Sequence, residues 1–398
     1  MSYAIRHRDE YRRRATLRPP TTPNLAIAKV SKIDPMLVVD ATLLQDLKQG
    51  SAVNLQDAIH RGIAIELATI PLYLYALYSI KPGRNLEIAR LVQSVVKEEM
   101  MHLAIGCNLL NAIGGKPNLL DPEIRPKYPG PLPGGIAAQL RVSLAPFSLP
   151  LVHDTFMVIE EPEHRDRCLI PDPVSPPYPG GVTVGQFYEE FIQQLCQQSG
   201  SIFQNPRRCK CEVIPQLATG FASLRNLVIK DLDSAKKAID IIIRQGEGTQ
   251  SSPYDGEHEL AHFYRFAEIY HGRKLIRNPD RAAHCPQYDY LGHRIKFDPR
   301  GVWPVVTNPN HDMYPVKLAD LNRRFNCTYS KLLQRLNRVF GGYADELGPA
   351  TLLMRSMRDQ AQVMMSIEIV PGQTAGPTFE YISDCPDTRT PDCGRGNP

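Results

Sequence analysis

Two Glu-x-x-His motifs, Glu99-Met100-Met101-His102 and Glu259-Leu260-Ala261-His262, constrain the fold of this chain more than any other feature. Each falls where apolar residues recur at three and four, the period of an amphipathic helix. Residues three apart on a helix lie about 60° apart around its axis, so each motif presents a carboxylate and an imidazole on one side. Charged groups on an apolar face are costly unless they are paired or bind a cation. Two such helices are therefore expected to face one another across a shared polar centre.

The helices around them are legible. From Leu55 to Ile80, the residues Ile59, Ile63, Glu66, Leu67, Ile70 and Leu74 form one stripe. Asn54 is the expected N-cap, with Asp57 at the capping-box position. Pro71 should kink this helix. A second helix is expected from Leu86 to Gly114-Gly115, making a hairpin with the first. Residues 116–182 are dense in proline and read as an ordered excursion, with one short helix expected between Gln139 and Glu160. Thr183 is the expected cap of a third helix over VGQFYEEFIQQLCQQ. A fourth is expected from about residue 222 to Gly246 or Gly248, and the second motif falls in another over 256–276. Loops with short strands near 293–297 and 302–306 precede two last helices, 317–340 and 348–367. The tail from Pro371 is expected to lie over the surface.

Glu66 adds a carboxylate to the first helix. A further ligand is sought on the third, where Glu189 shares its stripe with Ile192 and Cys196, and Glu190 with the glutamines 186, 193, 194 and 197. The less polar stripe favours Glu189, with Glu190 and Glu247 as alternatives. Single glutamates and two Glu-x-x-His pairs on four helices form a two-metal carboxylate pattern. Carboxylates neutralise two hard cations, and each histidine adds a nitrogen ligand while leaving positions for water or dioxygen. The expected set is Glu66, Glu99, His102, Glu189, Glu259 and His262, holding two iron ions, with manganese accepted by the same donors. No separate catalytic acid or base can be assigned.

The segments AIHRGIAIELATIPLYLYALYSI, VVKEEMMHLAIGCNLLNAIGGKPNL, VTVGQFYEEFI, AIDIIIRQGEG, ELAHFYRFAEI and AGPTFEYI resemble a ferritin-like family. That family includes the iminophenyl-pyruvate dimer synthase domain of violacein biosynthesis and its chromopyrrolate-forming relatives. The resemblance implies an all-α fold: a ferritin-like four-helix bundle with long loop-rich insertions and additional C-terminal helices. It also implies a non-haem diiron centre with Glu66, Glu99, His102, Glu259 and His262 as ligands. The expected organisation is an arm over 1–50, a metal-binding domain over 51–370 with its insertion at 116–182, and a tail over 371–398.

The rest of the sequence narrows the functions. A net charge of +4, spread along the chain, gives no basis for nucleic-acid binding. No run of eighteen apolar residues suggests a membrane span. The first twenty residues lack the apolar stretch of a secretory signal and read as a tail. Nine cysteines argue for a reducing compartment, hence a cytoplasmic protein with free thiols at Cys209 and Cys211. Cys385 and Cys393 would close a loop only in an extracellular setting. A bare metal bundle needs roughly 150–200 residues, and the 27 glycines and 35 prolines mark where the surplus lies. That surplus suits a substrate pocket better than iron storage. The expectation is a diiron oxidase or oxygenase that uses dioxygen on a small amino-acid-derived or secondary-metabolite substrate, with an electron donor and a homodimeric assembly compatible with it. The alternatives are an iminophenyl-pyruvate-type oxidative dimer synthase and a non-catalytic iron-handling protein.

Overall fold

In the computed structural model, the described residues are 38–39, 41–133, 140–162, 182–203, 227–248, 252–255, 258–278 and 287–385. Helix α1 (Ala41–Lys48) leads into α2 (Ala52–Ser79), the longest helix among the described residues. Ser51, not Asn54, caps α2: its hydroxyl accepts the Asn54 N–H at 3.1 Å. Pro71 lies inside α2 without ending it. The bond it removes is outweighed by burial, since Ile70, Pro71, Leu72 and Tyr73 all lie in the core. After a short turn, α3 (Leu86–Ala112) returns along α2, and Gly114 takes up the left-handed conformation that ends it, at φ +80°.

The proline-rich excursion holds a two-residue antiparallel pair, β2 (Gly130–Pro131) with β3 (Arg141–Val142). It also holds the expected short helix, α4 (Leu149–Ile159), whose middle turn, Val152–Phe156, is π-helical. Helix α5 (Val184–Ile202) follows β4 (Val182–Thr183), which pairs with β1 (Val38–Val39). Helix α6 spans Leu232–Glu247. It starts later than the periodicity predicts because Asp231 and Ser234 cap each other's backbone there, and residues 227–230 are not helical.

Helix α7 (His262–His271) is also shorter than expected. Before it, Tyr254 and Leu260 form an antiparallel bridge and the Glu259 N–H donates to Asp255 Oδ1 at 2.9 Å, so this stretch is spent on extended backbone. Gly272, at φ +65°, ends α7. The loops that follow carry β5 (Ile276–Arg277) paired with β6 (Tyr288–Asp289). Where strands were expected near 293–297 and 302–306, there are only isolated bridges, Arg273 with Arg294, Ile80 with Val302 and Val305 with Thr374.

The hairpin of α8 (Val316–Phe340) and α9 (Leu347–Met365) matches its expected bounds closely and packs on α2. The tail departs from expectation. After β7 (Glu368–Val370) and β8 (Gln373–Thr374), residues 374–379 are buried. Thr378 bonds to Asn322 and Asn326 of α8, and the Tyr314 hydroxyl donates to the Gly376 carbonyl. A disulfide joins Cys327 to Cys385, with Cα atoms 5.3 Å apart, so Cys385 is not the loop-closing partner of Cys393 and not every described cysteine is a free thiol. Cys209, Cys211 and Cys393 lie outside the described residues.

Helices α2, α3, α6 and α5 pack in a ring, and α7 docks on α3, α6 and the turns of α4. One continuous apolar core runs through them into the α8–α9 hairpin. Helix α2 is long and apolar enough to cross a membrane by composition, yet 72% of its most apolar window is buried in this core.

Candidate metal centre

Helix α3 carries three adjacent contributors. Glu98, Glu99 and His102 are each 4% exposed or less, facing inward between α2, α6 and α7. The Glu99–His102 spacing does what a continuous helix dictates: both groups reach one centre. His262, at the first position of α7, is fully buried and lies against the same carboxylates. The two imidazole rings stack, with centroids 5.3 Å apart.

Both histidines are oriented alike. His102 Nε2 bonds to Gln245 Oε1 of α6 at 3.0 Å, and its Nδ1 faces Glu66 Oε2 at 3.7 Å and Glu99 Oε1 at 3.9 Å. His262 Nε2 bonds to Glu98 Oε2 at 3.0 Å, and its Nδ1 faces Glu99 Oε1 at 2.9 Å and Glu160 Oε2 at 3.2 Å. An outer acceptor thus fixes each ring while the other nitrogen points at shared carboxylates, the arrangement that metal-ligating histidines adopt. Glu99, His102 and His262 each place a ligand atom within 4.8 Å of the others.

The carboxylates are braced from outside the cluster. Thr69 donates to Glu99 Oε2 at 2.8 Å, and the Tyr73 hydroxyl donates to Glu160 Oε1. Arg265 donates to Glu98 Oε1 at 2.6 Å. Burial pushes Glu66 up to about 7, and it raises Glu99 and Glu160 as well, with the neighbouring carboxylates adding to the rise. Burial lowers His102. Burial would also lower His262, but Glu160, Glu98 and Glu99 overcome it and hold the ring protonated well above the usual range. Glu98 is raised by burial and lowered more by His262 and Arg265, ending at about 2. The centre therefore concentrates negative charge around a proton that a cation can replace, and this donor chemistry fits a carboxylate–imidazole metal site.

The structure brings together Glu66, Glu99, His102 and His262 of the expected ligands. Glu189 is exposed on α5, and its alternative Glu190 accepts from Gln194 Nε2 at 2.8 Å. Glu259 is exposed and precedes α7, so the second motif does not lie on one helix and only its histidine reaches the centre. The Glu247 side chain lies outside the described residues. His258 is exposed too.

Glu160, just beyond α4, was not found by helical spacing, because the excursion has no long periodic run. The acidic pair Glu160-Glu161 follows the C-terminus of α4, where the helix dipole disfavours carboxylates, and that becomes a signal only once the helix end is known. Glu98 and Gln245 were missed because outer-sphere partners carry no spacing rule. Beside Glu66 and His102 lies a gap of about 30 Å³, walled by Ile59, Ile63, Phe187 and Phe191. Glu66, 14% exposed at its side chain, borders this gap.

A family model described as ferritin-like matches residues 59–271. The chain is 26% identical over 374 residues to the dichlorochromopyrrolate synthase of Lentzea aerocolonigenes, covering 82% of this chain and 36% of that protein. It thus spans little more than a third of that relative's length. A crystal structure of a ferritin-like protein from Caulobacter vibrioides superposes with a TM-score of 0.51 at 24% identity, covering 87% of this chain and 100% of that one. That likeness is one of fold.

Proposed function

The chain belongs to the ferritin-like family, and we propose that it is a metal-dependent oxidase or oxygenase of a small organic molecule, using dioxygen. Glu66, Glu99, His102, Glu160 and His262 would hold two iron ions, with Glu247 the remaining candidate for a fourth carboxylate. The observation that carries this reading is the matched orientation of His102 and His262, each with Nδ1 on the carboxylates and Nε2 held by an outer acceptor. When bound, iron would supply the electrons for reducing dioxygen.

The protein's own groups define the setting for that chemistry. Gln245 and Glu98 keep the two rings from turning, and Tyr73 and Thr69 fix the carboxylates that the rings face. The gap of about 30 Å³ beside Glu66 has room for one or two molecules of water size, and its apolar wall suits dioxygen. Phe266 and Phe156 pack around Tyr73, whose hydroxyl holds the buried Glu160 carboxylate.

Anaerobic reconstitution with ferrous iron, followed by metal analysis, tests the reading. About two irons per chain are expected from the donor set. A wild-type chain that takes up no metal and behaves like Glu99→Ala would overturn it. A second reading is oxidative dimerisation of an aryl imino acid, favoured by the 26% identity to a dichlorochromopyrrolate synthase. Incubating the loaded protein with such an imine and searching for the coupled product by mass spectrometry separates the two.

A further inference from the structure

The two histidines of the centre have different outer partners. His262 Nε2 bonds to a carboxylate, Glu98 Oε2, at 3.0 Å, whereas His102 Nε2 bonds to a neutral amide, Gln245 Oε1, at 3.0 Å. Arg265 is buried and donates to the other Glu98 oxygen at 2.6 Å, an ion pair that keeps Glu98 a carboxylate. Arg265 stands one hydrogen bond further out, so the charge that the His262 ring meets is the negative one. A carboxylate on the outer nitrogen pushes electron density into the ring and strengthens the inner nitrogen as a ligand more than an amide does.

The carboxylates differ in the same sense. Those facing His262 Nδ1 are held from outside the centre, Glu99 by Thr69 and Glu160 by Tyr73. Glu66, which faces His102 Nδ1 together with Glu99, accepts from no side chain outside the centre among the described residues. Donors already fixed lose less freedom when an ion arrives. Access differs too. The His262 side chain is 0% exposed and that of Glu160 8%, while Glu66 is 14% exposed and borders, with His102, the gap of about 30 Å³.

We propose that the two metal positions are unequal: the ion held by His262, Glu160 and Glu99 binds first and is retained, and the ion held by His102 and Glu66 binds second and exchanges on the side of the gap. The inference rests on the proposed metal centre and adds an order to it, set by Glu98 and Gln245 as positioning residues.

Cobalt(II) tests it, because it accepts the same donors, is stable in air and absorbs in the visible when bound. It is titrated into the metal-free full chain against a competing chelator. Two steps are expected, the second at least about tenfold weaker, the lower end of what the outer partner of a ligating histidine contributes. His102→Asn should keep the tight step near its wild-type strength and lose the weak one. His262→Asn should bind its remaining ion at least about tenfold more weakly than the wild-type tight step. Gln245→Glu supplies the missing outer carboxylate and should strengthen the second step about tenfold and the first far less, a gain that loosening of the fold does not produce. If His262→Asn keeps the tight step and His102→Asn loses it, or if Gln245→Glu leaves the second step unchanged, the order is overturned while the metal centre stands. A wild-type chain that takes up no cobalt overturns the centre itself and the order with it.

Discussion

Glu160→Gln separates the centre seen in the structure from the one that helical spacing predicts. The substitution keeps the shape and leaves an oxygen to accept from Tyr73, so the fold should persist. It removes one negative charge from a group whose Oε2 lies 3.2 Å from His262 Nδ1. A unit charge about 4 Å from a unit cation is worth about 4 kcal/mol at an effective dielectric of about 20. Burial holds Glu160 above the usual carboxylate range, so stripping its proton near neutral pH returns part of that. The net loss is roughly 3 kcal/mol, or about a hundredfold in metal affinity. Competition for ferrous iron against a chromogenic chelator under anaerobic conditions measures it directly. Glu189→Gln and Glu259→Gln should bind as wild type, because both side chains are exposed away from the centre. The metal-free Glu160→Gln protein should also melt no lower than wild type, since it has lost a buried carboxylate that repels Glu99. Wild-type affinity in Glu160→Gln, or an equal loss in Glu259→Gln, would refute the assignment.

Gln245→Leu removes the acceptor that fixes His102 Nε2, and metal affinity should fall by about 10–100-fold with little change in metal-free melting, read by the same competition. The metal-free chain should lose stability as pH rises from about 4.5 to 7. Glu66 titrates at about 7 when folded, so its contribution is full below its ordinary value of 4.5 and is lost on going up, by about 3 kcal/mol. Raised Glu99 and Glu160 act in the same direction, and raised His262 does so above pH 6.5, while His102, lowered by burial, opposes them below pH 6.5. Glu98, held at about 2, matters only below 4.5. Thermal melts across this range should show the fall, and saturating metal should flatten it; a metal-free chain that is more stable at pH 8 than at pH 5 would contradict the electrostatics. Cys385→Ser should cost about 4 kcal/mol in oxidising buffer, from the 58-residue separation that the disulfide closes, and nothing in excess reductant. Denaturant melts in the two buffers check it.

The helices of the bundle were legible because their stripes are long: α2, α3, α8 and α9 lie close to where periodicity places them. Shorter elements were not, because local contacts reset their ends. The Asp231–Ser234 cap starts α6 late, and the Tyr254–Leu260 bridge keeps Glu259 out of α7. The tail was misplaced for a related reason. Its burial depends on Asn322 and Asn326 of α8, which satisfy backbone and Thr378 groups that would otherwise need water.

The sequence by itself determined that Glu66, Glu99 and His102 would face inward, since each sits in a long helix whose apolar period fixes the direction of every side chain. It also singled out His262, though for a reason only half right: spacing places Glu259 and His262 on one helix, whereas α7 begins at His262, three residues too late to include Glu259. Tertiary structure alone decided the remaining partners. Glu160 arrives from the end of a short helix in a proline-rich excursion, and Glu98 and Gln245 close on the outer ring nitrogens from separate helices. A metal centre is a point where chain segments distant in sequence converge, and helical period carries information along one segment only.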